Sequence, residues 1–533
     1  MPSTEAKEGD ATASKYCSST NDKFLRFLRK NNLTRTQQDD ISAHATPPAS
    51  TKAAAAIIPG IQFELKTYPQ AWIALLLLIL LRTAVSVFQF TFSVVPGITG
   101  EYFGVSLSAV NWLANVQCIV YVFMSFFTGI IFEKLGVKRS IMASGFLCAL
   151  GCAIRCIAAK TNPPSFTLTM VGQVVGGTAA PLALNIMTMF TSTWFTDNLR
   201  ATAGMFVASN YGAILVMFVI PSITLDATYI PMVLNLVAGF AAVIFLPLLF
   251  MPNQPPTPPT RVQETDRPSF FDGLRILSKN LNFWILFLIH SLNVGLSIAF
   301  CTLFAQILAP HGYTNTQAGQ LNALAFFAGT LGCSISGPVL DLTKQHKLFL
   351  KLIAPMVFVT DVAFIFMVRK DSYAAVMFVT TLNQFFLSFL VPVVIELGSE
   401  TSFPVAEATT NSLLWQGAQL FGFIFVIIMD STRNKQDTTM TNALIFQAIV
   451  AGIVMLLSFI FHGKMARSEA SAWEKKVIER LTETKDDLMQ QHQLPKTLSS
   501  VIGVTLSDDN KSYDELNTTV ISKEGHSNTR QIE

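Results

Sequence analysis

Charge is what this chain has least of. Of 533 residues only 13% are Asp, Glu, Lys or Arg, where a soluble chain carries about 25%. The net formal charge is +3, and no basic run interleaved with aromatics accompanies it, which argues against a nucleic-acid partner. Cysteine is scarce as well. Of seven cysteines only Cys17 lies outside an apolar segment, and neither a disulfide framework nor a zinc spacing occurs. Cys148, Cys152 and Cys156 recur every four residues on one helical face, which reads as small packing residues on a membrane helix rather than a soft-metal stripe. No metal and no cofactor is expected. The opening of the chain is polar and lacks a basic-then-apolar stretch, so no cleaved signal peptide is expected. The Asp pairs, Ser-His pairs and His clusters that intramembrane hydrolysis needs are missing from the apolar segments, and the chain is not expected to be an enzyme.

Apolar residues are abundant instead. They make up 51% of the chain, Phe alone numbers 43, and the mean hydropathy is +0.46. Runs such as "AWIALLLLILL" and "IFQAIVAGIVMLLSFIF" approach the ~20 apolar residues that cross ~30 Å of hydrocarbon. Such segments must be helical, because lipid offers the backbone no hydrogen-bond partner.

The pattern predicts an all-α membrane protein with twelve transmembrane helices as two six-helix bundles. The bundles occupy 68–251 and 282–462, flanked by an N-terminal tail (1–67) and a C-terminal tail (463–533) and joined by the Pro-rich stretch 252–281. In the tail after Gly463, "SEASAWEKKVIERLTETKDDLMQQ" suits a solvated helix. With the amino terminus in the cytosol, the cytosolic loops hold Lys134, Lys138, Arg139, Arg200, Arg261, Arg267, Arg275, Lys279, Lys344, Lys347 and Lys351. The opposite loops hold only Lys160, Arg369, Lys370, Arg433 and Lys435. This bias places both tails in the cytosol.

The halves are copies of one pattern. After span 2 the chain reads Gly129-Ile-Ile-Phe-Glu133-Lys134-Leu-Gly136-Val-Lys138-Arg139, and after span 8 Gly337-Pro-Val-Leu-Asp341-Leu-Thr-Lys344. The glycines are 208 positions apart (337 minus 129), and "RATAG" at Arg200 and "EATTN" at Glu407 are 207 apart (407 minus 200). Two independent signposts share nearly one offset, which marks a duplication. A glycine here admits a close neighbour, and acid beside base in a cytosolic turn can pair with a facing helix end. Gly129, Glu133, Lys134, Gly136, Lys138, Arg139, Arg200, Gly337, Asp341 and Glu407 are therefore the expected conformational latch.

This motif resembles that of the major facilitator superfamily, in which Gly-x-x-x-Asp-Arg-x-Gly-Arg-Lys links helices 2 and 3; here Glu133 and Lys134 replace Asp and Arg. A narrower resemblance lies in "YFGVSLSAVNWL", "GQVVGGTAAPLALNIMTMFTSTWFTDNLRATA", "LNFWILFLIHSLNVGLSIAFCTLF" and "VIELGSETSFPVAEATTNSLLWQGAQLFGFIF". These are similar to the feline leukaemia virus subgroup C receptors and the disrupted-in-renal-carcinoma protein, solute carrier family 49. The resemblance implies a secondary transporter working by alternating access, with haem, choline or ethanolamine, and pyridoxine among the substrates proposed for members. Its aromatic cage for a quaternary ammonium would fall on Val87 and Ile298, and its helix 4 glutamine on Ala180. The cage is missing, although Gln419 matches the helix 11 glutamine, and choline is disfavoured.

Candidate substrate-binding residues follow from depth in the spans. Arg82 lies near mid-membrane, where an unpaired guanidinium costs from ~2.5 to more than ~10 kcal/mol, and the reading finds no Asp or Glu at comparable depth. It either donates to backbone carbonyls or faces the cavity to meet an anionic or carbonyl-bearing solute. His290 is a packing residue or a proton carrier. Gln89, Asn185, Asn293, Gln384, Gln416 and Gln419 belong to a polar set, with Asn115, Tyr121, Gln173, Asn210 and Tyr211, that either bonds between helices or lines a wet pathway. Gly172, Gly176, Gly177, Pro181 and Pro392 are expected to bend or closely pack helices 4 and 10. The expected partners are the lipid bilayer and a small organic solute, anionic, vitamin-like or haem-type, handled by a monomer in the plasma membrane or a vacuolar or lysosomal membrane. A receptor or nutrient sensor that binds without transporting is the alternative.

Overall fold

The computed structural model describes residues 67–255, 270–405, 407–434 and 436–469. The N-terminal tail before residue 67, residues 256–269 of the Pro-rich stretch and nearly all of the charged tail helix expected after Gly463 lie outside them. Among the described residues every regular element is a helix, and twelve are long and apolar enough to cross a membrane. These are α1 (Pro69–Phe90), α2 (Leu107–Phe132), α3 (Lys134–Lys160), α4 (Phe166–Asn185), α5 (Thr202–Ile223) and α6 (Ala227–Leu248). The second six are α7 (Leu281–His311), α8 (Asn315–Leu340), α9 (His346–Met367), α10 (Tyr373–Ser402), α11 (Thr409–Ser431) and α12 (Thr441–Ile460). Two short helices, Pro96–Phe103 and Phe270–Leu277, were not anticipated by hydropathy because neither is long enough to span.

Local chemistry sets the helix starts. Pro69 opens α1, where its missing N–H is no loss. Side-chain oxygens cap α2 (Ser106, from Ala109 N, 3.3 Å), α4 (Ser165, from Leu168 N, 3.2 Å) and α7 (Asn280, from Phe283 N, 3.1 Å). Thr314 and Gln317 form a reciprocal capping box on α8. The chain kinks in the first turn of α3 at Gly136, whose φ of +73° suits glycine.

One apolar core is built chiefly from α1 to α6, joined by Cys301 of α7 and Ala323 of α8, and three smaller ones come mainly from the second six helices. Apolar side chains also face outward, such as Ile445, Ile449, Ile453 and Leu456 on α12 and Leu236, Val243 and Leu246 on α6. Water would oppose such a surface, whereas hydrocarbon tails accept it. Small residues bring backbones together, as the membrane environment favours. A Cβ added to Gly151 of α3 would lie 2.5 Å from Gly176 Cα of α4, and one on Gly172 would lie 2.8 Å from Arg155 Cγ. The glycines of α4 are thus packing positions. The helix is also interrupted, in two segments that meet at Thr178.

The halves meet along two seams, α5 against α8 and α2 against α11. At Gly319 of α8 a side chain would collide with the Met217 carbonyl of α5. Gln416 of α11 donates to the Val122 carbonyl of α2 (2.8 Å). At the end of the bundle away from the α6–α7 connection, Asn111 of α2 and Gln306 of α7 form a reciprocal amide pair (2.6 and 3.4 Å). Arg433, just after α11, donates to Gln306 and to Asp430 (2.6 Å for the latter). Thr316 also donates to the Pro221 carbonyl across the seam (3.2 Å). This clasp closes that end.

Candidate functional site

Between the halves lies a cavity of about 160 Å³. Its lining draws on α1, α2, α4 and α5 from one half and on α7, α8, α10 and α11 from the other. Its position follows from breaks in the helices as well as from their packing. The chain of α5 leaves helical geometry at Ser209 and Asn210, and both residues line the cavity. Non-helical backbone at membrane depth is tolerated where it faces such a space.

Of the eight candidate substrate-binding residues, Arg82, Gln89, Gln384 and Gln419 line the cavity, joined by Tyr121 and Asn210 of the wider polar set. Arg82 is the sole charged residue of the lining. Its Nε reaches the Val207 carbonyl at 3.5 Å, at the limit of a useful hydrogen bond, and no carboxylate pairs with it among the described residues. Gln384 donates weakly to Ser297 Oγ (3.4 Å).

The structure places the other four elsewhere. Asn185 accepts from Tyr121 Oη (2.8 Å) and donates to Ser125 and Thr128 (both 3.3 Å), fixing α4 to α2. Asn293 donates to the Leu387 carbonyl (3.4 Å), and Gln416 is consumed by the α2–α11 seam. His290 is buried with its ring edge-to-face on Trp415 at 5.4 Å. His290 Nε2 is buried without a hydrogen-bond partner, whereas the other three share one reason. A polar side chain in an apolar helix satisfies itself on the nearest neighbouring helix before it reaches a cavity.

Gln117, Trp415 and Ser297 are among the polar lining residues that the sequence did not single out. Gln117 Nε2 and Trp415 Nε1 are buried donors without a partner. Together with the Arg82 guanidinium, the unmatched groups around the cavity are donors. Val87 is absent from the lining, whereas Ile298 is part of it, so no aromatic cage forms at those two positions.

Charged residues inside the spans that the sequence did not single out include two that are buried. Arg155 of α3 is fully buried; its Nη1 donates to Gln173 Oε1 (2.8 Å) and to the Phe88 carbonyl (3.0 Å), and its guanidinium lies 4.0 Å from the Phe88 ring centre. It staples α1, α3 and α4. Arg155→Ala is expected to cost about 2 kcal/mol, because two charge-assisted bonds vanish and Gln173 is stranded; a lower Tm of the purified protein checks this. Another is Asp361 of α9, a buried carboxylate six residues before the end of its span, whereas the sequence offered no Asp or Glu at the depth of Arg82.

The latch residues are partly visible. Glu133, Arg200 and Asp341 have side chains outside the described set. Lys134 and Arg139 are exposed. A side chain at Gly129 would meet nothing within 4 Å, so close approach does not explain that glycine, whereas at Gly337 it would lie 2.6 Å from Met205 Sδ. Glu407 pairs with Arg467 (2.9 Å), which also binds Glu400 (3.1 Å) and Glu396. The segment after α12 runs beside the α10–α11 junction, so it supplies the cation there.

Comparison with known proteins places this architecture. The description that matches the chain is the Major Facilitator Superfamily, over residues 71–426. The chain belongs to that superfamily. Solute carrier family 49 member A3 of Xenopus tropicalis is 30% identical over 382 residues, 69% of this chain and 79% of that protein. The choline/ethanolamine transporter FLVCR2 of Homo sapiens is 25% identical over 417 residues, 75% of this chain and 78% of that one. This facilitator therefore sits with solute carrier family 49, as its motifs implied. In fold it is similar to a bacterial homologue of the human lysosomal transporter Spinster, solved inward-facing and unoccupied (TM-score 0.56, 16% identity, 74% of this chain and 98% of that chain). The relatives are transporters, not enzymes, and the facilitator is an integral multi-pass membrane protein that handles a small molecule.

Proposed function

We propose that the chain is a secondary transporter that moves a small organic solute bearing a carboxylate or another anionic or carbonyl group, by alternating access of the cavity between the halves. The observation that carries this reading is Arg82, a cation facing the cavity with no carboxylate partner among the described residues. A guanidinium stays charged at any physiological pH. The partnerless donors Gln117 Nε2 and Trp415 Nε1 support the same polarity, since a solute rich in acceptors would satisfy all three.

A cationic cargo meets the opposite balance. A quaternary ammonium about 5 Å from the guanidinium would be opposed by about 3 kcal/mol at an effective dielectric of about 20. Choline, named for the FLVCR2 relatives, is disfavoured for this chain on that ground. With no carboxylate in the lining, the cavity itself offers no acid for proton coupling, which supports facilitated movement of the solute. The loop charges support cytosolic placement of both tails, around bundles at 68–251 and 282–462 that act as one monomer in the plasma membrane or a vacuolar or lysosomal membrane.

The test is reconstitution into liposomes with a panel of labelled carboxylates, neutral carbonyl compounds and choline. Saturable, time-dependent accumulation of an anionic or carbonyl solute is expected. Accumulation of choline alone overturns the substrate class, and saturable binding without accumulation favours a sensor instead.

A further inference from the structure

Asp361 is a carboxylate that the cavity does not use. It is 5% exposed and is held between α9, α10 and α12. Asn383 Nδ2 of α10 (3.0 Å) and Gln447 Nε2 of α12 (2.7 Å) both donate to its Oδ1, and Asn383 also donates to Thr360 Oγ1 (2.9 Å). No cation pairs with it among the described residues. The other ionisable groups of α9, His346, Lys347 and Lys351, sit at the start of that helix. Glu396 and Glu400 sit near the end of α10, and α12 has none; α7, which packs against α12, carries His290, Cys301 and, at its end, His311.

Two costs are left open by this arrangement. A carboxylate at membrane depth without a counter-charge is unfavourable. Gln447 Oε1 is buried and has no hydrogen-bond partner, which leaves its desolvation uncompensated. One proton answers both. We propose that Asp361 is a proton-binding site in which its carboxyl group and the Gln447 carboxamide close a two-point acid–amide pair. Gln447 Nε2–H donates to Oδ1, and a proton on Oδ2 is donated to Gln447 Oε1. A metal cation suits the site poorly, because two amide N–H groups already point at Oδ1 where a hard cation needs oxygen ligands. Release of the proton leaves acceptor facing acceptor across the α9–α12 contact and loosens it.

Asp361→Asn is the discriminating variant, because an amide N–H takes the place of the acid O–H and both bonds to Gln447 survive. Purified wild type and variant are compared by infrared spectroscopy across pH and by thermal unfolding; neither readout needs the transported solute, so failure here is separate from failure of the proposed substrate class. Expected is a protonated-carboxyl C=O band in wild type that Asp361→Asn lacks, and a variant Tm within about 2 °C of wild type in acid. Folding that holds a proton gives stability that falls as pH rises, so wild type should lose Tm as pH rises above the ordinary carboxylate range of about 4, and the variant should lose less. No Asp361-dependent band at any pH, identical pH profiles, or a variant that fails to fold overturns the proposal.

Discussion

Arg82→Ala is expected to reduce uptake of the transported solute to background while the folded protein in the membrane stays at its wild-type level or rises. The two halves of this result have one cause. In the empty cavity the guanidinium has only a 3.5 Å contact to the Val207 carbonyl, so the folded protein bears a charge that costs ~2.5 kcal/mol or more. Truncation removes that cost, and Tm of the purified variant should rise. The solute loses a charge-assisted partner worth about 1.5–3 kcal/mol, which is roughly a 10- to 100-fold loss of affinity. Arg82→Lys should fall between, since the charge remains but the planar fork that matches a carboxylate is lost. Unchanged uptake by Arg82→Ala, with unchanged Tm, would assign the residue to packing.

The twelve spans and the duplicated pattern are legible in the sequence because they rest on quantities a chain cannot hide, namely runs of apolar residues and a shared offset near 208 between Gly129 and Gly337. Where a polar side chain points is a different matter. On a helix that is apolar all round, hydrophobic periodicity says little about orientation, and the neighbour that satisfies a carboxamide is set by packing. Gln419 and Gln416 lie three residues apart on α11, yet Gln419 lines the cavity and Gln416 bonds across the α2–α11 seam to Val122. Arg155 and Asp361 escaped for another reason. They lie only five and six residues before the ends of α3 and α9, at Lys160 and Met367, where a charge reads as belonging to the membrane edge. Their partners, Gln173 and Asn383 with Gln447, come from other helices and carry no local signature. The donor excess of the cavity was illegible on the same ground, because Trp415 Nε1 and Gln117 Nε2 are partnerless only by virtue of the fold.

Breaking the clasp at the closed end should produce the second large effect. The Asn111–Gln306 pair supplies two buried amide bonds between the halves, and Arg433, held by Asp430, adds a third to Gln306. If alternating access requires this end to open, these bonds must be given up in the opening. Asn111→Ala with Gln306→Ala removes them from the closed state alone, at about 3 kcal/mol in total, and a shift of that size changes a two-state equilibrium about 100-fold. Cys301 offers a native reporter, since it lines the cavity and lies five residues before Gln306 on α7. A membrane-impermeant thiol reagent applied at the clasp side should modify Cys301 slowly in wild type and much faster in the double variant, with Cys301→Ser as the blank. The same variant should take up solute with altered kinetics but intact Arg82 dependence, because the cavity lining is untouched. Equal modification rates in the two proteins would mean that the α5–α8 seam, packed at Gly319 against Met217, governs access by itself, and that the polar clasp follows the closure rather than holding it.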